Sequence, residues 1–233
     1  MGAVIVEDPG LRDRVRVYED RAEAGEDLAR HLMQFRGSGA IVLSIPSGGV
    51  PVGLAVSSIL GLPFDLLIIR KIPVPGDPES GLGAVGLEGE AVLNEQLVRS
   101  LGLSPMDVEE LAEPVREELY ARNRIFRGSR AWPEVGGRSV ILVDDGLASG
   151  YTMLAAASVV RRRGPERIVV AVPTASASAV RMLSQHVEMI VCPNIRSGYI
   201  FAVADAYRRW HDLERSEVLG LLRSHGYTAG RPL

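Results

Sequence analysis

The sequence predicts an α/β protein built on a doubly wound, mainly parallel sheet, and three observations carry that expectation. Residues 40–45 and 64–69 are short, mainly apolar runs, interrupted by Ser44 and Asp65 alone, and are separated by Pro46-Ser47-Gly48-Gly49 and a helical stretch. Strand, glycine loop, helix, strand is the order of a βαβ unit. The same order recurs at residues 139–172. All these runs are mainly apolar rather than alternating, which is the pattern of parallel strands covered on both faces.

The elements follow in chain order. Residues 20–35 place Ala24, Leu28, Leu32 and Phe35 on one face of an amphipathic helix, which Gly37 and Gly39 end. Residues 50–60 predict a helix with Pro51 in its first turn. Pro73, Pro75, Gly76, Pro78, Gly81, Gly83, Gly86 and Gly89 predict a mobile loop with a short hairpin over 72–89. Ser104-Pro105 opens a long polar helix to about Phe126, kinked at Pro114. Residues 72–137 are thus expected to be a flexible loop and hood helix inserted in a single domain spanning 1–233. Downstream come a strand at 139–143, a loop at 144–151, a helix at 152–162 stopped by Gly164-Pro165, a strand at 168–172, a helix at 175–185 and a last parallel strand at 187–192. The tail from 205 to 225 predicts one or two helices, with Asp212 as the cap of the last.

Composition narrows the function classes. The 233 residues are 46% hydrophobic, enough for a sizeable core, and the formal net charge is -3. That balance argues against a dedicated nucleic-acid binder, which needs a dense positive face. The single cysteine, Cys192, sits in an apolar run, so neither an internal disulfide nor a thiol-rich metal site is expected. The four histidines, His31, His186, His211 and His225, share no motif. No stretch approaches the ~18 apolar residues of a membrane span, and no signal-peptide pattern opens the chain. A soluble, cytoplasmic protein is expected.

The chemistry concentrates in Val140-Ile141-Leu142-Val143-Asp144-Asp145-Gly146-Leu147-Ala148-Ser149-Gly150-Tyr151-Thr152. A buried strand delivers two adjacent carboxylates to its C-terminal end, where ligands of open α/β sheets bind. Asp144 and Asp145 can accept hydrogen bonds from vicinal ribose hydroxyls. Ala148, Ser149 and Gly150 can turn successive backbone N–H groups onto one anion, and a helix N-terminus adds further donors. Ser149 and Thr152 add hydroxyls, and Gly150 allows close approach of the backbone. Any one of these features fits a plain strand-to-helix turn; together they point to a phosphorylated sugar. Ser47-Gly48-Gly49 forms a second candidate anion loop before a helix. Arg70 and Lys71, at the end of the next strand, supply cations beside it.

The thirteen-residue string resembles the motif that binds 5-phosphoribosyl-1-pyrophosphate (PRPP) in type I phosphoribosyltransferases, most closely its adenine-specific version, with Ala148 where other members carry a third acid. The likeness extends over nearly the whole chain, through Glu19-Asp20-Arg21, Pro46-Ser47-Gly48-Gly49-Val50-Pro51, Arg70-Lys71, Pro78-Glu79, Gly83-Ala84-Val85 and Arg122-Asn123-Arg124, to a bacterial and archaeal family of predicted phosphoribosyltransferases whose acceptor is not established. The resemblance implies that Asp144 and Asp145 contact the ribose, and that Gly146, Ala148, Ser149, Gly150, Tyr151 and Thr152 surround the 5-phosphate. Tyr151 departs from a frequent glycine, so its side chain must point away from the phosphate or over it.

The resemblance also implies a pyrophosphate site at Ser47, Gly48 and Gly49, with Arg70 and Lys71. The family usually carries a basic residue where Ser47 stands. Glu79, on the loop, and Lys71 are the candidate catalytic residues. Glu88 and Glu90 are further loop acids, and Arg116, Arg122, Arg124 and Arg127 on the hood helix face solvent, pyrophosphate or a partner subunit. Tyr199 and Phe201 are the candidate acceptor pocket, where an aromatic ring could stack on a planar base. Magnesium is expected as the cofactor, carried by PRPP near Asp144 and Asp145 with no direct protein cage. The implied reaction is magnesium-dependent transfer of ribose 5-phosphate to a nucleobase or other nitrogen acceptor, as in nucleotide salvage, by a homodimer that binds no nucleic acid or membrane. The alternative is a non-enzymatic PRPP sensor on the same fold. A general dinucleotide binder is disfavoured, because no glycine fingerprint follows the first strand with an acid about twenty residues on.

Overall fold

The computed structural model describes residues 2–87, 91–198 and 200–228, and of residues 77–80 the backbone alone. The elements are β1 (Val4–Val6), α1 (Arg21–His31), β2 (Ile41–Ser44), α2 (Gly49–Leu60), β3 (Phe64–Leu66), β4 (Ile69–Val74), β5 (Asp77–Gly86), β6 (Ala91–Leu93), α3 (Glu95–Ser100), α4 (Pro105–Phe126), β7 (Ser139–Val143), α5 (Tyr151–Arg161), β8 (Arg167–Ala171), β9 (Thr174–Ser176), α6 (Ala177–Leu183), β10 (Met189–Val191), β11 (Asn194–Arg196) and α7 (Arg215–Ser224).

Six strands form one parallel sheet in the order β1-β10-β8-β7-β2-β3. The α/β doubly wound expectation is met. Alternation along β7 explains why the sheet needs cover on both sides: Val140 and Leu142 pack with Met153, Ala156 and Val160 of α5, while Ile141 and Val143 pack with Leu28 of α1 and Val52 and Val56 of α2. From β2 the chain steps outward to β3 on one side; after the hood it returns through β7 and builds outward on the other. The switch point therefore lies between β2 and β7, the place where open α/β sheets take ligands, outside the carboxyl ends of the strands.

The hood is more regular than its proline and glycine content suggests. β4, β5 and β6 form an antiparallel three-stranded sheet, with register shifts on either side of Pro73. A bulge is where a sheet tolerates a residue that cannot donate. Ile72, Leu82 and Val85 pack under Val108, Val115, Leu119 and Phe126 of α4 and under Val218 and Leu222 of α7. The segment read as a loop with a short hairpin is thus a paired sheet over its described part. Helix α4 starts at the expected Ser104 cap, which forms a capping box with Asp107.

Other departures have local causes. β1 is an edge strand of three residues, too short to register as an apolar run. α6 starts later than expected because Thr174–Ser176 pairs with β11 first, and Ser176 then caps the helix. The cap of α7 is Glu214, in a reciprocal box with Glu217, and not Asp212. Among the described residues no helix is long and apolar enough to cross a membrane.

A buried ionic knot ties the hood to the sheet. Arg127, just past α4, donates from Nε and Nη2 to the two carboxylate oxygens of Asp65 in β3 at 3.1 and 3.2 Å, and to Ala131 O at 2.8 Å. Tyr227 of the C-terminal tail donates to Asp65 Oδ1 at 2.7 Å.

Candidate functional site

Two loops meet at the switch point. β2 ends in Pro46-Ser47-Gly48, joined by a cis Pro46–Ser47 peptide, and α2 begins at Gly49. β7 ends in Asp144-Asp145. The backbones are locked together: Ile45 N donates to Val143 O at 2.9 Å, and Gly49 N to Ile45 O at 3.1 Å. A Cβ on Gly48 would collide with the Asp145 carboxylate, and one on Gly49 would lie 2.8 Å from Val143 O and 2.9 Å from Asp144 Cα. Both glycines are therefore required by contact with the acidic pair itself. Gly48→Ala is expected to displace either the loop or Asp145; a crystal structure or a ligand titration of that variant would show it.

Asp145 is held from behind. Arg21, the first residue of α1, donates from Nε to Asp145 Oδ2 at 2.8 Å and from Nη1 to His211 O at 3.0 Å. Its guanidinium lies 3.8 Å from the centroid of the Trp210 ring. Tyr207 donates to Asp145 O at 2.6 Å. Asp145 N donates to Asp144 Oδ1 at 2.9 Å. Burial raises the carboxyl pKa of both acids. For Asp144 the neighbouring Asp145 charge adds to the rise, whereas for Asp145 the Arg21 guanidinium opposes it.

This has a stability consequence with a definite sign. A raised carboxyl keeps its proton in the folded protein where the unfolded chain has lost it. Stability is lost as pH climbs from the ordinary carboxylate value through the raised one, and stays lost above it. Asp144→Asn is therefore expected to raise the melting temperature of the ligand-free protein at neutral pH, by roughly 2–4 °C per kcal/mol in a chain of this size. A lower melting temperature would contradict the electrostatic reading.

Beyond the acids the chain turns sharply into α5. Leu147 is pinned by Leu147 N to Thr174 O at 3.0 Å and Ser176 N to Leu147 O at 2.9 Å, and Ser176 Oγ donates to Ala148 O at 2.6 Å. Ala148 and Ser149 are exposed at the turn, and among the described residues nothing accepts from their backbone N–H groups. Gly150 has φ 83°, and a Cβ there would lie 2.9 Å from Met182 Cε and 3.1 Å from Ala179 Cβ. Its glycine character answers to the backbone and to the packing of α6. Tyr151 is partly buried against the core, and Thr152 follows it in the first turn of α5.

The other candidates divide. Arg70 and Lys71 are successive residues of β4 and so point to opposite faces of the hood sheet. Arg70 pairs with Glu118 of α4, while the Lys71 stem lies across Gly81 on the other face. They do not form the single cationic pair that their adjacency suggested. Of the four hood arginines, Arg116 pairs with Glu109 and Glu113, Arg127 with Asp65, and Arg124 is exposed. Arg122 alone turns to the glycine loop, donating to Ser47 Oγ at 3.2 Å. The Phe201 ring has Arg196 over it at 5.0 Å. Tyr199, Glu88 and Glu90 lie outside the described residues, as does the side chain of Glu79, whose backbone is in β5. Among the described residues no group of three or more His, Cys, Asp or Glu could hold a metal ion. Cys192 is buried, and burial pushes its thiol pKa up.

Sequence reasoning missed Arg21, Tyr207 and Trp210 as site residues. Arg21 lies 124 positions from Asp145, and no local signal links them.

A family model described as "Phosphoribosyl transferase domain" matches residues 18–206. Two proteins from strains of Mycobacterium tuberculosis, MT0597 and Rv0571c, each named "putative phosphoribosyl transferase", are 35% identical over 212 residues, which is 91% of this chain and 48% of theirs. The chain thus spans about half the length of the curated relatives it matches. Among solved structures, TT1426 from Thermus thermophilus is 36% identical, covers 89% of this chain and 98% of its own, and superposes with a TM-score of 0.72. The AQ2163 protein from Aquifex aeolicus, at 12% identity, 80% and 78% coverage and a TM-score of 0.50, shares the fold.

Proposed function

Because the chain belongs to the phosphoribosyl transferase family, we propose that its switch-point crevice binds PRPP and transfers ribose 5-phosphate to a nitrogen acceptor, releasing pyrophosphate. The observation that carries this reading is the placement of Asp144 and Asp145 at the end of β7, in contact with the Ser47-Gly48-Gly49 loop on one side and followed by the exposed Ala148–Ser149 turn on the other. PRPP has a diol between two phosphate groups, and the crevice offers two carboxylates between two loops.

In this reading the residues mainly orient. Asp144 and Asp145 accept from the ribose hydroxyls, with Arg21 fixing Asp145 from behind. The backbone donors of residues 148–152 and the start of α5 hold the 5-phosphate, and the Ser47 loop holds the leaving pyrophosphate at the start of α2. Fixing both ends of the sugar aligns the anomeric carbon for displacement and removes orientational entropy from the barrier. The two acids suit a hard cation carried in by the pyrophosphate, since both are unfavourably charged where they stand. Magnesium, when bound, supplies positive charge to the leaving group. Lys71 and Glu79 remain proposed catalytic groups, and Phe201 with Tyr199 the proposed acceptor pocket. A cytoplasmic homodimer acting on small molecules completes the proposal.

The test is pyrophosphate release from PRPP with magnesium and a panel of purine, pyrimidine and other nitrogen bases. Release that depends on one base, and that stops when magnesium is chelated, is expected. PRPP binding without release for any acceptor would favour a sensor instead.

A further inference from the structure

Ser47 brings no charge to a loop that, in the reading above, holds the most highly charged part of PRPP. The hood brings it. Arg122 reaches Ser47 Oγ from α4, and its guanidinium lies 5.3 Å from the centroid of the Phe126 ring. A hydroxyl does not neutralise a guanidinium. Among the described residues no carboxylate forms an ion pair with Arg122; Glu118, the acid that bears on it, is paired with Arg70.

The surroundings make the imbalance larger. Arg70 and Arg215 both add positive charge near Arg122, and burial together with Arg70 lowers the Arg122 pKa. Arg70 and Arg122 thus share the charge of one carboxylate, Glu118, with the Arg215 charge nearby. Arg70 Nε is buried without a hydrogen-bond partner among the described residues. Like charges placed together and partly desolvated oppose each other, unless an anion arrives to satisfy them.

We propose that Arg122 is a pyrophosphate-binding residue, supplying from the hood helix, with Arg70 beside it, the positive charge that Ser47 does not. The inference rests on the PRPP reading of the crevice. It also gives Ser47 a role: its hydroxyl orients the guanidinium toward the loop, where a planar fork can meet two phosphate oxygens at once.

Calorimetric titrations of wild type and Arg122→Gln with magnesium and three probes separate the possibilities. The probes are PRPP, pyrophosphate and ribose 5-phosphate. Arg122→Gln is expected to weaken PRPP and pyrophosphate by about 10- to 100-fold, the worth of a charge-assisted hydrogen bond, and to leave ribose 5-phosphate within about twofold, the scatter of a contact not made. Such a split is not produced by general loosening of the hood. Adding Ser47→Arg to Arg122→Gln is expected to recover pyrophosphate affinity, and Arg122→Lys, which keeps the charge and the fold, to lose only part of it. Unchanged pyrophosphate affinity in Arg122→Gln, with ribose 5-phosphate bound normally, would overturn the role of Arg122 alone. Failure of wild type to bind ribose 5-phosphate or PRPP would instead strike the reading of the crevice.

Discussion

Asp144→Asn combined with Asp145→Asn is expected to weaken PRPP binding by at least about a hundredfold while the protein stays folded. Hydrogen bonds to charged groups contribute about 1.5–3 kcal/mol each, and two carboxylates that receive a diol lose at least two of them. The fold should survive because the two changes act oppositely on it. Removing the Asp144 charge relieves a buried like-charge neighbour, whereas removing the Asp145 charge weakens the partner of Arg21. Arg21 keeps His211 O and the Trp210 ring, and asparagine keeps an acceptor oxygen near Nε. Calorimetry gives the affinity and thermal melting the fold; a folded double variant that binds PRPP as tightly as wild type would defeat the assignment.

The largest stability effect is expected far from the chemistry, at Asp65→Ala. Asp65 is 3% exposed and accepts from Arg127 twice and from Tyr227, with Arg130 3.7 Å away. Removing one partner of a buried ion pair leaves the other desolvated and unanswered, at a cost of about 3–5 kcal/mol. The loss should appear as a fall in melting temperature of roughly 2–4 °C per kcal/mol. It should also loosen the junction between β3, the end of α4 and the C-terminal tail. Hydrogen exchange localised there, together with the lower melting point, is the expected signature; a melting point within about 2 °C of wild type would contradict it.

The parts of the fold legible in the sequence were those set by local pattern. The run from Ser139 to Val143 is buried at every position and stands between β2 and β8 in the sheet, and its four apolar residues after Ser139 announced it. Asp144 and Asp145 followed because a loop after a central parallel strand has only one edge to occupy. The hood was less legible. Pro73 and its glycines are breakers in most contexts, and only the pairing of β5 with both neighbours turns them into strand residues. Until β4 was known to be a strand, nothing separated Arg70 from Lys71, although strand geometry sends them to opposite faces. Arg21, Arg122 and Asp65 depend on contacts across 124, 75 and 62 positions of chain respectively. An arginine on a polar helix carries no mark of the loop it will meet.

Phosphorus NMR of PRPP, titrated with the wild-type protein and magnesium, addresses both loops and the acids between them in one measurement. The 5-phosphate and the pyrophosphate resonances are expected to shift together and saturate at one PRPP per chain, since one crevice holds both ends of the ligand. Resonances that stay at their free positions, or a pyrophosphate shift with an unmoved 5-phosphate, would contradict the account.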